Sequence, residues 1–107
     1  MMVRYDKTFT AKTDFSEYDV YLELNEYVEY NNTCLSLWSD DVGPVATLTV
    51  NLEKLDKGFA YIDTNNCPWA ESFLKENGLA EPTGKFGKSG YCTYPLYKLN
   101  MEKICGQ

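Results

Sequence analysis

The chain has 107 residues and a formal net charge of −6, from 16 acidic and 10 basic residues and no histidine. One domain of this size buries roughly two-thirds of the surface its unfolded chain exposes, enough for a single core. The negative balance argues against direct binding to nucleic acid or an anionic membrane, because a basic patch would have to outweigh long-range repulsion, and no apolar run approaches the ~18 residues of a membrane-crossing helix.

Val3, Tyr5, Phe9 and Ala11 alternate with polar residues, which predicts a first strand with a flaw at Lys7. Residues 13–16 read as a turn. Residues 17–29 give the clearest strand: Tyr18, Val20, Leu22, Leu24 and Val28 point one way, and Glu17, Asp19, Tyr21, Glu23, Asn25, Tyr27 and Glu29 the other. Asn-rich residues 30–32 supply a turn. A return strand over 33–39 sets Leu35 and Leu37 opposite Cys34, Ser36 and Trp38. After the breakers of residues 40–44, a strand over 45–52 turns Ala46, Leu48, Val50 and Leu52 inward.

A short strand is expected at 59–62, then a turn over 63–66. Pro68 suits a first helical turn and Gly78 a left-handed C-terminal position, so one short helix is predicted over 68–77. Its stripe is Trp69, Ala70, Phe73 and Leu74, with Glu71, Lys75 and Glu76 in water. Residues 79–90, with Pro82 and three glycines, read as a loop. Residues 91–99 read as a last strand that Pro95 confines to an edge or a bulge. From about 101 a frayed tail is expected. The fold predicted is a single α+β domain, an antiparallel meander of about five to six strands covered by the helix at 68–77.

Few residue patterns carry chemistry. Residues 82–89 end in Gly-Lys-Ser, but Pro82 stands where a phosphate-binding loop needs glycine, and a strand pattern follows where a helix should open. The four cysteines, Cys34, Cys67, Cys92 and Cys105, form no Cys-x-x-Cys pair. Free thiols are expected, with no structural zinc. Cys67 precedes the helix, where a thiol pKa is lowered, yet no histidine base exists and Asp63 opposes a thiolate. No cofactor or metal is expected, and no catalysis. Met1 to Asp6 carry no apolar signal core, so a cytoplasmic protein is expected.

Charge is sorted along the chain. Residues 13–53 hold nine acidic residues and no basic one, and residues 82–101 hold lysines and no acid. Glu17, Asp19 and Glu23 share one strand face, with Asp40 and Asp41 in the turn beyond. Like charges on one face destabilise mildly, so the face is either a solvated, solubilising surface or a docking site. The docking reading predicts a basic protein surface as partner, of the kind that handles nucleic acid in a host cell, with Tyr21 and Trp38 as aromatic anchors. The alternative is a small-molecule or anion site between the 63–69 turn and the 84–90 glycine loop, using Asn65, Asn66, Lys85, Lys88 and Tyr91. The third reading is a structural accessory domain.

The Asn65-Asn66-Cys67-Pro68-Trp69-Ala70 run, then Asn77-Gly78-Leu79, Pro82-Thr83-Gly84 and residues 89–97 resemble a domain-of-unknown-function family. Its members are small proteins of gut Firmicutes, their phages and conjugative elements. The resemblance covers most of the chain and brings no catalytic residues with it. It implies an accessory protein of a mobile element, a setting in which small acidic inhibitors of host defence occur.

Overall fold

The computed structural model describes residues 2–106. In chain order the elements are β1 (Val3–Lys12), β2 (Glu17–Glu26), β3 (Thr33–Ser39), β4 (Gly43–Thr47), β5 (Thr49–Val50), β6 (Phe59–Ile62), α1 (Ala70–Glu76), β7 (Ala80–Ser89), β8 (Cys92–Leu99) and α2 (Met101–Ile104). The class is α+β, as expected. The strands are divided, however, between two four-stranded antiparallel sheets, ordered β1-β2-β3-β4 and β5-β6-β8-β7.

The first sheet follows the alternation closely. Val20, Leu22, Leu35 and Leu37 are buried on its inner face. The flaw at Lys7 is a bulge: Arg4 pairs with Glu23 and Thr8 with Tyr21, so β1 spends four residues where β2 spends two. The bulge restores Phe9 and Ala11 to the inner face. The chain turns away earlier than the pattern implied. β2 ends at Glu26, and Val28 stands 99% exposed in the turn rather than inward.

The segment expected as one strand over 45–52 instead passes from one sheet to the other at Leu48. The Leu48 N–H donates to the Leu35 carbonyl of β3 (2.8 Å), and the Leu48 carbonyl accepts from Asp63 N–H beyond β6 (2.8 Å). Buried polar groups must find partners, and the next residue completes the exchange. Thr49 Oγ1 accepts from Leu35 N–H (3.2 Å) and bonds Tyr27 Oη (3.0 Å), which also donates to the Thr49 carbonyl (3.0 Å). Buried Asn32 holds the chain that follows: its amide donates to Asn51 Oδ1 (2.8 Å) and the Glu53 carbonyl (2.6 Å), and its Oδ1 accepts from Leu55 N–H (3.0 Å).

So held, residues 51–58 run towards β6, and Leu52 lies over Gly87 of the second sheet. A Cβ at Gly87 would stand 2.7 Å from the Tyr61 ring and 3.1 Å from Leu52. That explains a glycine inside β7. Residues 79–90, expected as a loop, are thus mostly the edge strand β7. Its Pro82 and glycines fit because an edge tolerates a missing donor and a bulge: Pro82 pairs with Tyr97 and Phe86 with Pro95, and Gly84, at φ +85°, lies in the bulge between. Conversely β8, expected at an edge because of Pro95, runs between β6 and β7. Pro95 sits just past Leu96, where pairing with β6 ends.

α1 lies within the predicted 68–77 span and buries Ala70, Phe73 and Leu74. Phe73 meets Phe9 edge-on, ring centroids 6.5 Å apart. Gly78 (φ +65°) ends the helix as expected, with Leu79 N–H returning to the Leu74 carbonyl (2.9 Å). Glu71, expected in water, instead accepts the hydroxyl of fully buried Tyr97. Residues 101–104 are no frayed tail: Asn100 caps α2 by accepting from Lys103 N–H (3.1 Å), and Ile104 is buried in the common core.

Two measurements test the crossover. Thr49→Val keeps the shape but leaves Leu35 N–H without its acceptor, so it should lower unfolding stability by about 1–3 kcal/mol in urea denaturation, whereas Thr49→Ser should lose less. Burial pushes the Tyr27 hydroxyl from 10.0 to about 12. Above pH 10 the unfolded chain releases this proton before the folded one, so the stability it contributes is complete below 10 and is lost as pH rises through about 12. Urea unfolding across that window should show a shallower fall for Tyr27→Phe than for the parent.

Candidate functional site

The outer face of the first sheet gathers most of the residues that charge patterning singled out. Glu17, Asp19, Tyr21 and Glu23 follow one another along β2, and Tyr21 is paired with Trp38 on β3. The Tyr21 hydroxyl donates to Asp40 Oδ2 (3.0 Å), which ties the turn after β3 to the sheet face. That bond, together with the nearby Asp40 charge, pushes the Tyr21 hydroxyl up. Asp41 follows, its backbone N–H held by Ser39 Oγ (3.2 Å).

The face is less uniformly acidic than the chain order implies. Antiparallel pairing sets Lys12 of β1 opposite Glu17, and Arg4 opposite Glu23. Arg4 Nε donates to Glu23 Oε2 (2.8 Å) and Nη2 stands 2.6 Å from the same oxygen. The guanidinium also lies 4.5 Å from the Trp38 ring centroid. Surface contacts of these kinds each contribute about 0–1 kcal/mol, but they neutralise Glu23 and cover part of Trp38. Arg4–Glu23 is the one ion pair among the described residues. Glu17, which Lys12 faces without an ion pair, and Asp19, opposite Thr10, therefore carry the unpaired charge together with Asp40 and Asp41. Arg4 and Lys12 were missed because they precede the acidic block in the chain. The signal was available in the 13–16 turn, which makes residues 12 and 17 neighbours.

Next to this face, at the end of the sheet that carries both turns, lies a groove of about 380 Å³. Asp14 and Phe15 from the first turn, Val42 and Pro44 from the second, and Trp69 at the mouth of α1 contribute to its walls. Phe15 is 96% exposed and Val42 56%. The first turn is firmly built: Thr13 Oγ1 accepts from both Phe15 N–H (3.3 Å) and Ser16 N–H (3.1 Å).

The residues of the alternative site are dispersed. Asn66 lines this groove, and its side-chain amide and backbone N–H both donate to the Asp63 carboxylate (2.9 and 3.1 Å). Lys85 instead lines a small hollow of about 190 Å³ with Leu55, Phe59 and Leu96. Lys88 pairs with Thr93 on the β7–β8 hairpin, and Tyr91 is fully exposed at its tip; Asn65 is exposed in the 63–69 turn. Among the described residues no three Cys, Asp or Glu side chains cluster as metal ligands would. No helix among the described residues is long and apolar enough to cross a membrane.

The chain belongs to the family described as Domain of unknown function (DUF4313), whose model matches residues 21–106. Comparison with curated proteins and with solved structures gives no match.

The cysteines are free, and Cys67, beside the groove, sits deepest of the four. Burial pushes its thiol pKa up, and the Asp63 charge adds to the rise. Because the thiolate is the reactive form, Cys67 should be alkylated more slowly than Cys34, Cys92 or Cys105 in the native protein. All four should react at similar rates in denaturant, as peptide mass spectrometry would show.

Proposed function

We propose that this chain is a non-catalytic binding protein that docks the outer face of its first sheet on a basic protein surface. The observation that carries the reading is the convergence of Asp19, Tyr21, Asp40 and Asp41 on one face and its adjoining turn, with the Tyr21–Asp40 bond fixing their arrangement. A row of negative charges held on a sheet face offers a basic groove the kind of surface it is built to hold. A groove that holds DNA or RNA is therefore a fitting target. The resemblance noted from the sequence supports a setting for such a protein: the cytoplasm of a cell carrying a mobile element, where it would occupy a nucleic-acid-handling protein of host defence. The Arg4–Glu23 pair narrows the functional charge to Glu17, Asp19, Asp40 and Asp41, with Tyr21 as the aromatic contact. Trp38 serves chiefly as the platform for Arg4.

The test is a tagged capture from host lysate with elution by a salt step, followed by reconstitution with the purified partner. A basic protein that rebinds, dissociates with salt and loses at least about tenfold in affinity, roughly 1.4 kcal/mol, to the Glu17→Lys/Asp19→Lys variant would support the reading. A purified partner bound equally well by that variant would exclude it.

A further inference from the structure

We infer that the groove beside the acidic face receives the β7–β8 hairpin of a second copy of this chain, reciprocally in a two-fold dimer. The groove has a mixed lining: Val42, Pro44 and Trp69 supply apolar surface, Asp14 a carboxylate, and Asp41 precedes Val42 in the same turn. At about 380 Å³ it has room for an aromatic side chain, and the carboxylates beside it suit a cation. The hairpin offers both. Phe86 is 64% exposed and Tyr91 fully so, and Lys85 and Lys88 stand beside them in a stretch, 82–101, that contains no acid. None of these lysines and none of the groove's carboxylates belongs to an ion pair among the described residues. Exposed aromatic side chains are favoured at protein interfaces, and the β7–β8 ladder holds Phe86 and Lys88 in register up to the turn that carries Tyr91.

The topology allows closure. β8 runs antiparallel to β6, with Tyr61 opposite Leu96, so the hairpin tip extends past the end of β6. There the 63–69 turn begins, and Asn66, Cys67 and Trp69 of that turn form one wall of the groove. Donor and acceptor surfaces thus lie toward one end of the molecule. This is what a two-fold contact needs, since each protomer must present both halves of the interface to the other. Asp41 apart, the residues differ from those of the docking face, and a test that leaves Asp41 in place keeps the two readings separate.

Sedimentation velocity at low and high salt tests the proposal. The wild-type mass should rise toward two chains with concentration at low salt, and return to one chain at high salt. Asp14→Lys and Lys85→Glu/Lys88→Glu should each be monomeric, with unchanged circular dichroism. An equimolar mixture of the two should dimerise, because each swapped hairpin then meets a groove of opposite charge. A wild-type protein that is monomeric at every concentration, a dimer indifferent to both swaps, or a mixture of the two variants that stays monomeric overturns it. So does assembly that grows past two chains. Binding of an external partner at Glu17 and Asp19 is unaffected by any of these outcomes.

Discussion

The architecture hangs on the backbone exchange at Leu48 and Thr49. A strand leaving one sheet for another strands the donors and acceptors it had been pairing, and in a buried place each orphan costs about 1–3 kcal/mol. Here the two polar groups of Leu48 are divided between the sheets, N–H to β3 and carbonyl to the end of β6. The Thr49 hydroxyl then takes over as an acceptor for Leu35 N–H, and Tyr27 caps the threonine in turn. Asn32 extends the same logic by satisfying the backbone of the departing chain. The crossover lets residues 51–58 reach the second sheet, and it leaves the outer face of the first sheet without a cover. The surface available for docking follows from how the core is closed.

What the sequence disclosed, and what it concealed, divides along physical lines. Period-two alternation reports which face a side chain takes, and it was reliable for Val20, Leu22, Leu35 and Leu37. It does not report which sheet a strand joins, since residues 45–52 alternate through the crossover. The helix-ending signal at Gly78 was local and held, whereas Pro68 stands in the turn two residues before α1. Gly84, Gly87 and Pro82 read as loop punctuation because propensity cannot distinguish a loop from a bulged edge strand whose glycine lies under a tyrosine ring from β6. Pro95 misled for a related reason: a proline is compatible with an inner strand at the point where pairing on one side has stopped. α2 was hidden because four residues carry no periodicity, and buried Ile104 with half-buried Met101 anchors them to the core.

The candidate surface was half legible. Glu17, Asp19 and Tyr21 share a face, because outward positions of one strand cannot do otherwise, and the Tyr21 hydroxyl holds Asp40 of the turn beside them. Their electrostatics were misjudged, because charge sorted along a chain is not charge sorted in space. A hairpin returns residue 12 against residue 17, and the β1 bulge still brings Arg4 to Glu23. The groove was not legible at all. It is built from two turns and the mouth of a helix, segments about 25 residues apart in the chain, and no local pattern announces that Phe15, Val42 and Trp69 share a wall.

That mixture of chemistry has consequences of its own. Solvent-exposed carboxylates attract a cationic partner over about a Debye length, roughly 8–10 Å, and so mostly raise the rate of encounter. They do little to retain it, since exposed pairs are weak. Residence comes from desolvated apolar contact, aromatic contact above all. On this molecule the two kinds of surface lie near one another: charge on the face of β2 and the adjoining turns, and exposed apolar side chains, Phe15 and Val42, in those same turns. A partner that carried only positive charge would arrive quickly and leave quickly. An occupant that also set an aromatic ring into the groove, as the hairpin of the proposed second copy does, would stay, so under that proposal the turns, more than the strand between them, decide what is retained.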